Sequence, residues 1–67
     1  MWCEFNWKDH RGNVGEMLGM EVKEIPKIGD EILVETSEDR HIGDVYRVMK
    51  CFGSGSRQEY YKVYFKI

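Results

Sequence analysis

Hydrophobic and polar residues alternate along much of this chain, as they do in β-strands that bury one face. Residues 2–9 place Cys3, Phe5 and Trp7 on one side and Glu4, Asn6 and Lys8 on the other. Residues 58–67 alternate most regularly. The two faces of that last segment are Tyr61, Val63, Phe65 and Ile67 on one side and Tyr60, Lys62, Tyr64 and Lys66 on the other. The pattern predicts a first and a last strand, each with one buried face.

Two more strands are predicted in the middle of the chain. Pro26 ends the segment before it, and Gly29 with Asp30 turns the chain into a strand whose Ile32 and Val34 point inward. Residues 41–52 form a longer strand in which the apolar residues fit either register, and a β-bulge would reconcile the two. Residues 53–56 are predicted to be a flexible hairpin loop before the last strand. The predicted shared core consists of Phe5, Trp7, Ile32, Val34, Val63 and Phe65.

Residues 14–25 fit two interpretations. Apolar residues at helical spacing predict an alternative α+β fold with one short helix at about residues 14–24. Those residues are Val14, Met17, Leu18, Val22 and Ile25. Against the helix, Gly15 and Gly19 would each cost about 1 kcal/mol in its interior, and residues 18–22 also alternate between apolar and other side chains. A second strand is therefore favoured, with the glycines marking bulges or a strong bend.

Five short strands in 67 residues cannot form two full packed sheets, but they can curl into one small barrel that hides its edges. The sequence therefore predicts an all-β fold, a single five-stranded barrel domain over residues 1–67. A Pro-x-x-Gly-Asp turn leads into the strand within residues 25–34, and residues 44–48 and 61–65 supply later strands. This arrangement resembles small SH3-like barrels, including uncharacterised bacterial and phage proteins and Tudor-type and KOW-type modules. The resemblance implies an SH3-like fold and leaves the function open, because such barrels serve unrelated roles.

The composition fits a folded protein of the cytoplasm. It is 42% hydrophobic, 33% charged and 13% aromatic, which is too apolar for a highly charged disordered chain. No apolar run is long enough to span a bilayer, and the first residues lack the pattern of a signal peptide. Small secreted scaffolds usually carry four or more cysteines, so Cys3 and Cys51 are expected to be free, partly buried thiols.

Residue patterns for catalysis or metal binding are weak in this chain. Cys3, His10, His41 and Cys51 are zinc-ligand types, but their wide spacing is not that of the close pairs that structural zinc sites use. Asp9 and His10 are adjacent at a strand end, so their side chains are expected to point to opposite faces. The sequence therefore predicts a protein that is not an enzyme and has no metal or other cofactor.

The C-terminal third of the chain is basic. Residues 46–67 contain five Lys and Arg and one Glu, a net charge of +4, whereas residues 1–45 contain five Lys and Arg and eleven Asp and Glu, a net charge of −6. The candidate binding residues are Tyr60, Lys62, Tyr64 and Lys66, with Arg47 or Lys50 beside them. A purely structural explanation is that Tyr favours strands, Lys protects sheet edges and opposite charges pair across strands.

Rings interleaved with cations suit two kinds of partner. They can stack on bases and neutralise phosphates, as in barrels that bind single-stranded nucleic acid. Tyr and Arg are also enriched at protein interfaces. The acidic total charge of −2 disfavours nucleic acid. The sequence therefore predicts a non-enzymatic binding or accessory module whose partner is a protein or its own copy, with nucleic acid as the alternative and no membrane partner.

Overall fold

The computed structural model describes residues 1–55 and 59–67, and in these residues the chain is all β-structure and connecting loops. The strands are β1 (Trp2–Lys8), β2 (Val14–Glu16), β3 (Met20–Glu21), β4 (Glu31–Glu35), β5 (Arg40–Phe52) and β6 (Glu59–Lys66). They form one strongly curled sheet, a half-barrel. The predicted all-β, barrel-like fold is confirmed, and the α+β alternative is excluded. No helix in the described ranges is long and apolar enough to cross a membrane.

The sheet has the strand order β2-β1-β6-β5-β4, and β3 pairs with β1 next to β2. The first and last strands run parallel, with Phe5 opposite Val63, whereas the other pairs are antiparallel. In the described part of the chain, β4 pairs only with β5. The sheet therefore curls without closing, and an edge that the predicted barrel would have hidden stays open at β4.

Residues 14–25 contain two short strands where the sequence predicted one, which brings the total to six. The glycines were predicted to mark bulges or a strong bend, but Gly15 lies opposite Trp7 in regular pairing with β1, so it marks no bulge. A Cβ atom there would collide with the Trp7 indole, and one at Gly19 would lie 2.6 Å from Nε1 of Trp2. The glycines are therefore required because each lies beneath a tryptophan ring from β1.

The core lies on the concave side of the half-barrel. Its buried members are Cys3, Phe5, Met17, Val34, Val45, Val63 and Phe65. Trp7 and Ile32 are partly buried and pack against this cluster. The predicted shared core is thus confirmed. The indole of Trp7 also lies 5.1 Å from the ring of His41, between ring centroids.

A β-bulge interrupts β5 between Val45 and Arg47, as the two competing registers predicted. Before the bulge Val45 pairs with Phe65, and after it Val48 pairs with Val63, so both valines face the core. The additional residue is Tyr46. The bulge therefore keeps the inner face apolar over the length of the core. It also places Tyr46 and Arg47, although adjacent in sequence, on the same outer side of the sheet.

Both cysteines are free, and Cys3 is fully buried in the core. Burial, with a smaller contribution from the charge of Glu4, raises the pKa of the Cys3 thiol from 9.0 to about 11. Because the thiolate is the reactive form, alkylation by iodoacetamide at neutral pH is expected to modify Cys51, which is partly exposed, and to spare Cys3. Peptide mass spectrometry of the native protein measures this ratio. Equal modification of both thiols before unfolding would contradict the buried position of Cys3.

The same pKa shift predicts a loss of stability at alkaline pH. Above the unfolded-state pKa, the unfolded chain loses the Cys3 proton while the folded protein keeps it, so the free energy of unfolding falls as pH rises from about 9 towards 11. Urea unfolding at a series of pH values measures this slope. Cys3→Val removes the titration and is expected to make the slope shallower, and an unchanged slope in this variant would contradict the assignment to Cys3.

Candidate functional site

The candidate site lies on the convex, outer surface where β1, β6 and β5 run side by side. Alternation along β6 buries Val63 and Phe65 and turns the alternate residues Lys62, Tyr64 and Lys66 outward. The sheet register then places Asn6, Tyr64 and Arg47 in one row across the three strands. We define the basic-aromatic face as the outward residues Lys8, Tyr46, Arg47, Lys62, Tyr64 and Lys66.

Two tyrosines form the centre of the basic-aromatic face. The rings of Tyr46 and Tyr64 lie 6.3 Å apart, between centroids, at an angle of 51°. The Lys8 ammonium lies 4.7 Å from the centre of the Tyr46 ring, and the Arg47 guanidinium lies 5.3 Å from that of Tyr64. Lys66 also approaches Tyr46, at 5.7 Å. Such cation–π contacts hold positive charge over an aromatic surface, so each ring already has a cation over it.

Within the described part of the chain, the four cations of this face take part in no direct ion pair. The ion pairs among residues 1–55 and 59–67 involve other groups, namely the N-terminus with Glu21, Arg40 with Glu35 and Lys50 with Glu59. Acidic residues do lie opposite two of the lysines, with Glu4 across from Lys62 and Asp44 across from Lys66. The pattern of facing opposite charges is therefore present without ion-pair contact, and the cations remain available to an anionic group.

A cleft of about 560 Å³ opens beside the two tyrosines. It is lined by Asn6, Trp7, Val14, Gly15, Glu16, Tyr46, Lys62 and Tyr64. The side-chain Nδ2 of Asn6 is buried and, among the described residues, has no hydrogen-bond partner. An unsatisfied buried donor is costly, so an acceptor that reached it would be favoured. The cleft thus combines aromatic walls, a lysine and an amide donor.

The structure brings together four of the six predicted binding residues. Lys62, Tyr64, Lys66 and Arg47 share the basic-aromatic face. Tyr60 points to the same side but lies nearer the β5–β6 hairpin, opposite Cys51.

Lys50 lies on the other side of the sheet, opposite Tyr61. Residues three apart on a strand point to opposite faces, which separates Lys50 from Arg47. Its ammonium lies 3.3 Å from Glu59, and the hydrogen bond with this carboxylate raises the Lys50 pKa. Lys50 is therefore already neutralised and serves as an internal control for the face.

Three residues of the site were not predicted from the sequence. Lys8 and Asn6 were placed correctly on the polar side of the first strand, but only the parallel pairing of β1 with β6 brings them beside Tyr64. Tyr46 reaches the face because it is the additional residue of the bulge. The alternation of Glu4, Asn6 and Lys8 was the signal available in the sequence. It shows which side these residues face, but it does not show which strand pairs with the first one.

The zinc-ligand types of the sequence do not converge. Cys3 is buried on the inner side, whereas Cys51 shares the outer side with Tyr60. Over the described ranges, no group of three or more His, Cys, Asp or Glu side chains is placed to hold a metal ion.

Asp9 instead organises a turn. Its carboxylate accepts hydrogen bonds from the backbone N–H groups of Arg11 and Asn13 and from the Asn13 amide. The Asn13 side-chain bond is the main reason that the Asp9 pKa is lowered. Asp9 is thus a turn-stabilising residue.

The chain matches no family model, no curated protein and no solved structure.

Proposed function

We propose that this protein is a non-enzymatic binding module whose basic-aromatic face engages a protein partner. The segment it binds is acidic and carries an apolar side chain that enters the cleft beside Tyr64. One observation carries the proposal: two tyrosines and four cations meet on one face, and none of these cations is held in an ion pair within the described residues. Tyr and Arg are the residues that most often dominate protein interfaces.

A protein partner is favoured over nucleic acid by the contacts of the rings. Bases stack on free ring faces, but here Lys8 lies over Tyr46 and Arg47 lies over Tyr64. Carboxylates also stand close to the face, since Glu4 is opposite Lys62 and Asp44 is opposite Lys66. These would repel a continuous row of phosphates while tolerating the separate carboxylates of a peptide.

Single-stranded nucleic acid is the second candidate. It is supported by the outward order Lys62, Tyr64, Lys66 along β6, in which a ring lies between two cations. Stacking with phosphate neutralisation is the mode that this order suits. The two free thiols support a reducing compartment for either function, and we place the protein in the cytoplasm.

The proposal predicts which variants lose binding. The probe is a fluorescein-labelled peptide in which Asp alternates with Gly on both sides of one central Phe, and its binding is measured by fluorescence anisotropy. Tyr64→Ala is expected to weaken binding roughly 30-fold, the effect of a residue worth about 2 kcal/mol at an interface, and Arg47→Ala is expected to act in the same direction. The matched control is Lys50→Ala, a cation on the same strand that faces the other way, and it is expected to leave the affinity unchanged.

Two results would contradict the proposal. Equal losses in Lys50→Ala and Arg47→Ala would show that the peptide responds to net charge and not to this face. No binding by the wild-type protein would contradict an acidic segment as the ligand. Sedimentation of the protein alone separates a different protein from a second copy, since self-association that Tyr64→Ala removes would identify the copy as the partner.

A further inference from the structure

One open edge of the half-barrel lies along β4. In the described part of the chain this strand pairs with β5 and with no strand on its other side. Free edges offer unpaired backbone groups to any strand that approaches. The edge is therefore a surface separate from the basic-aromatic face. The β4–β5 register shows which backbone groups and side chains it presents.

The register shows which backbone groups point outward from the edge. The Thr36 N–H donates to the Asp39 carbonyl at 2.8 Å, and the Val45 N–H donates to the Asp30 carbonyl at 2.9 Å. In an antiparallel pair, residues alternate between bonding the neighbour and pointing away from it. Residues 32 and 34 therefore bond to β5, and Glu31, Leu33 and Glu35 direct their N–H and C=O groups to the open side.

An apolar groove runs along the inner side of this edge. Its volume is about 380 Å³, and it is lined by Phe5, Met20, Val22, Pro26, Ile32, Leu33, Val34 and Glu35. The inward side chains of a strand added to β4 would lie over this groove. Apolar side chains at those positions would extend the core, because apolar area removed from water is stabilising in proportion to its extent.

The outer side of the edge is acidic around one apolar residue. Glu31 and Glu35 are exposed, and Leu33 between them is 50% exposed beside the equally outward Ile42. Glu35 has a long contact with Arg40, 3.9 Å between Oε2 and Nε, whereas Glu31 makes no ion pair among the described residues. The pattern presented to an incoming strand is thus acid, apolar, acid at alternate positions.

This charge pattern disfavours a second copy of the chain as the added strand. Antiparallel pairing of two β4 edges centred on Leu33 would place Glu31 of each copy directly opposite Glu35 of the other. Like charges directly opposite each other across strands are destabilising. The complementary strand carries Lys or Arg at positions four apart with an apolar residue midway.

We infer that the open edge of β4 is a strand-addition site for a partner segment of the pattern basic, apolar, apolar, apolar, basic. Its two cations lie opposite Glu31 and Glu35, its central apolar residue packs on Leu33, and its other two apolar side chains enter the groove. Backbone hydrogen bonds supply affinity in this mode, and alternate side chains supply specificity.

The experiment uses a labelled peptide containing Lys-Val-Leu-Val-Lys, with anisotropy as the readout. In the inferred register, the N–H of the central Leu bonds to β4, whereas the N–H groups of both Val residues point away from it. N-methylation of the Leu is expected to weaken binding at least tenfold, and N-methylation of one Val is expected to change it less than about threefold. These two peptides have the same composition, so they isolate the backbone contact.

Charge reversal provides a second arm on the protein side. Glu31→Lys is expected to weaken binding of the parent peptide at least tenfold. A peptide with Glu in place of the Lys that lies opposite residue 31 is expected to bind this variant with the original affinity. Because Glu31 is exposed, the variant is expected to keep the wild-type circular dichroism spectrum. No binding of the parent peptide, equal loss on methylation of Leu and Val, or failure of the charge swap to restore affinity would each overturn the inference.

Discussion

Replacing Phe65 with Ala is expected to destabilise the protein by roughly 3 to 5 kcal/mol. Phe65 is fully buried, at 0% exposure, on the strand that pairs with both β1 and β5, where it lies opposite Trp7 and Val45. Its removal leaves a cavity between three strands that cannot collapse independently. Small domains are stable by only about 5 to 15 kcal/mol, and one of 67 residues belongs near the lower end. A large unfolded fraction is therefore expected without denaturant.

Urea unfolding followed by tryptophan fluorescence measures this loss, and the chain offers a matched control. Phe52 is also a strand phenylalanine, but it is 75% exposed near the β5–β6 hairpin. Phe52→Ala is expected to change the free energy of unfolding by no more than about 0.5 kcal/mol, as is usual at the surface. Similar losses for the two variants would be incompatible with the core described above.

Replacing Gly43 with Ala is expected to destabilise the protein by about 1 to 3 kcal/mol. A Cβ atom at this position would collide with the backbone carbonyl of Lys66 and would lie 2.9 Å from Cδ2 of Phe65. A backbone group cannot move aside as the end of a flexible side chain can. An unobstructed Gly→Ala change would instead be stabilising, by about 0.4 to 1 kcal/mol, through the unfolded chain.

The direction in which Gly43→Ala changes the stability therefore distinguishes an obstructed position from an open one. Thermal unfolding of Gly43→Ala is expected at a lower temperature than that of the wild type. Ile42→Ala, at the neighbouring outward position of β5, is exposed and is expected to cost less than about 1 kcal/mol. A melting temperature of Gly43→Ala at or above the wild-type value would contradict the close packing of the end of β6 on β5.

The alternation of the sequence was sufficient to predict which side of β1, β4 and β6 is buried. Burial on one face of a sheet has a period of two, so Phe5, Val34, Val63 and Phe65 were identified without knowledge of strand order. The parallel pairing of β1 with β6 was not predictable in this way. It joins the two ends of the chain, and no local pattern specifies a partner so distant in sequence.

The glycines of residues 14–25 illustrate the same limit. Gly15 and Gly19 argued correctly against a helix. Of the two strand roles predicted for the glycines, a bulge or a strong bend, the bulge is wrong at Gly15, which lies in regular pairing with β1. Each glycine is required by a tryptophan ring from another strand, Trp7 over Gly15 and Trp2 near Gly19. Such a requirement becomes visible only when the neighbouring strand is known.

The candidate site was predictable to the extent that it lies on one strand. Lys62, Tyr64 and Lys66 share a face by alternation, and the spacing of three between Arg47 and Lys50 already implied that only one of the two could join them. Lys8 and Tyr46 were missed because one depends on non-local pairing and the other on the bulge. The resemblance to SH3-like barrels stays a prediction.

The two proposed surfaces carry opposite charge. The basic-aromatic face is built mainly from the last 22 residues, with a net charge of +4, and the β4 edge from the first 45, with a net charge of −6. Fields of opposite sign steer different partners to different places. The near-neutral total charge of −2 thus conceals two surfaces with distinct partner chemistry.

The choice between protein and nucleic acid is tested most directly by titrating the protein with a labelled oligothymidylate over a range of salt concentrations, beside the acidic peptide. Each phosphate neutralised by the face would contribute about −0.7 to the slope of log affinity against log salt. The expected result is that only the peptide binds at about 150 mM salt and that its binding is lost in Tyr64→Ala. Micromolar oligonucleotide binding at that salt, abolished by Lys62→Glu with Lys66→Glu, would contradict the assignment of this face to a protein partner.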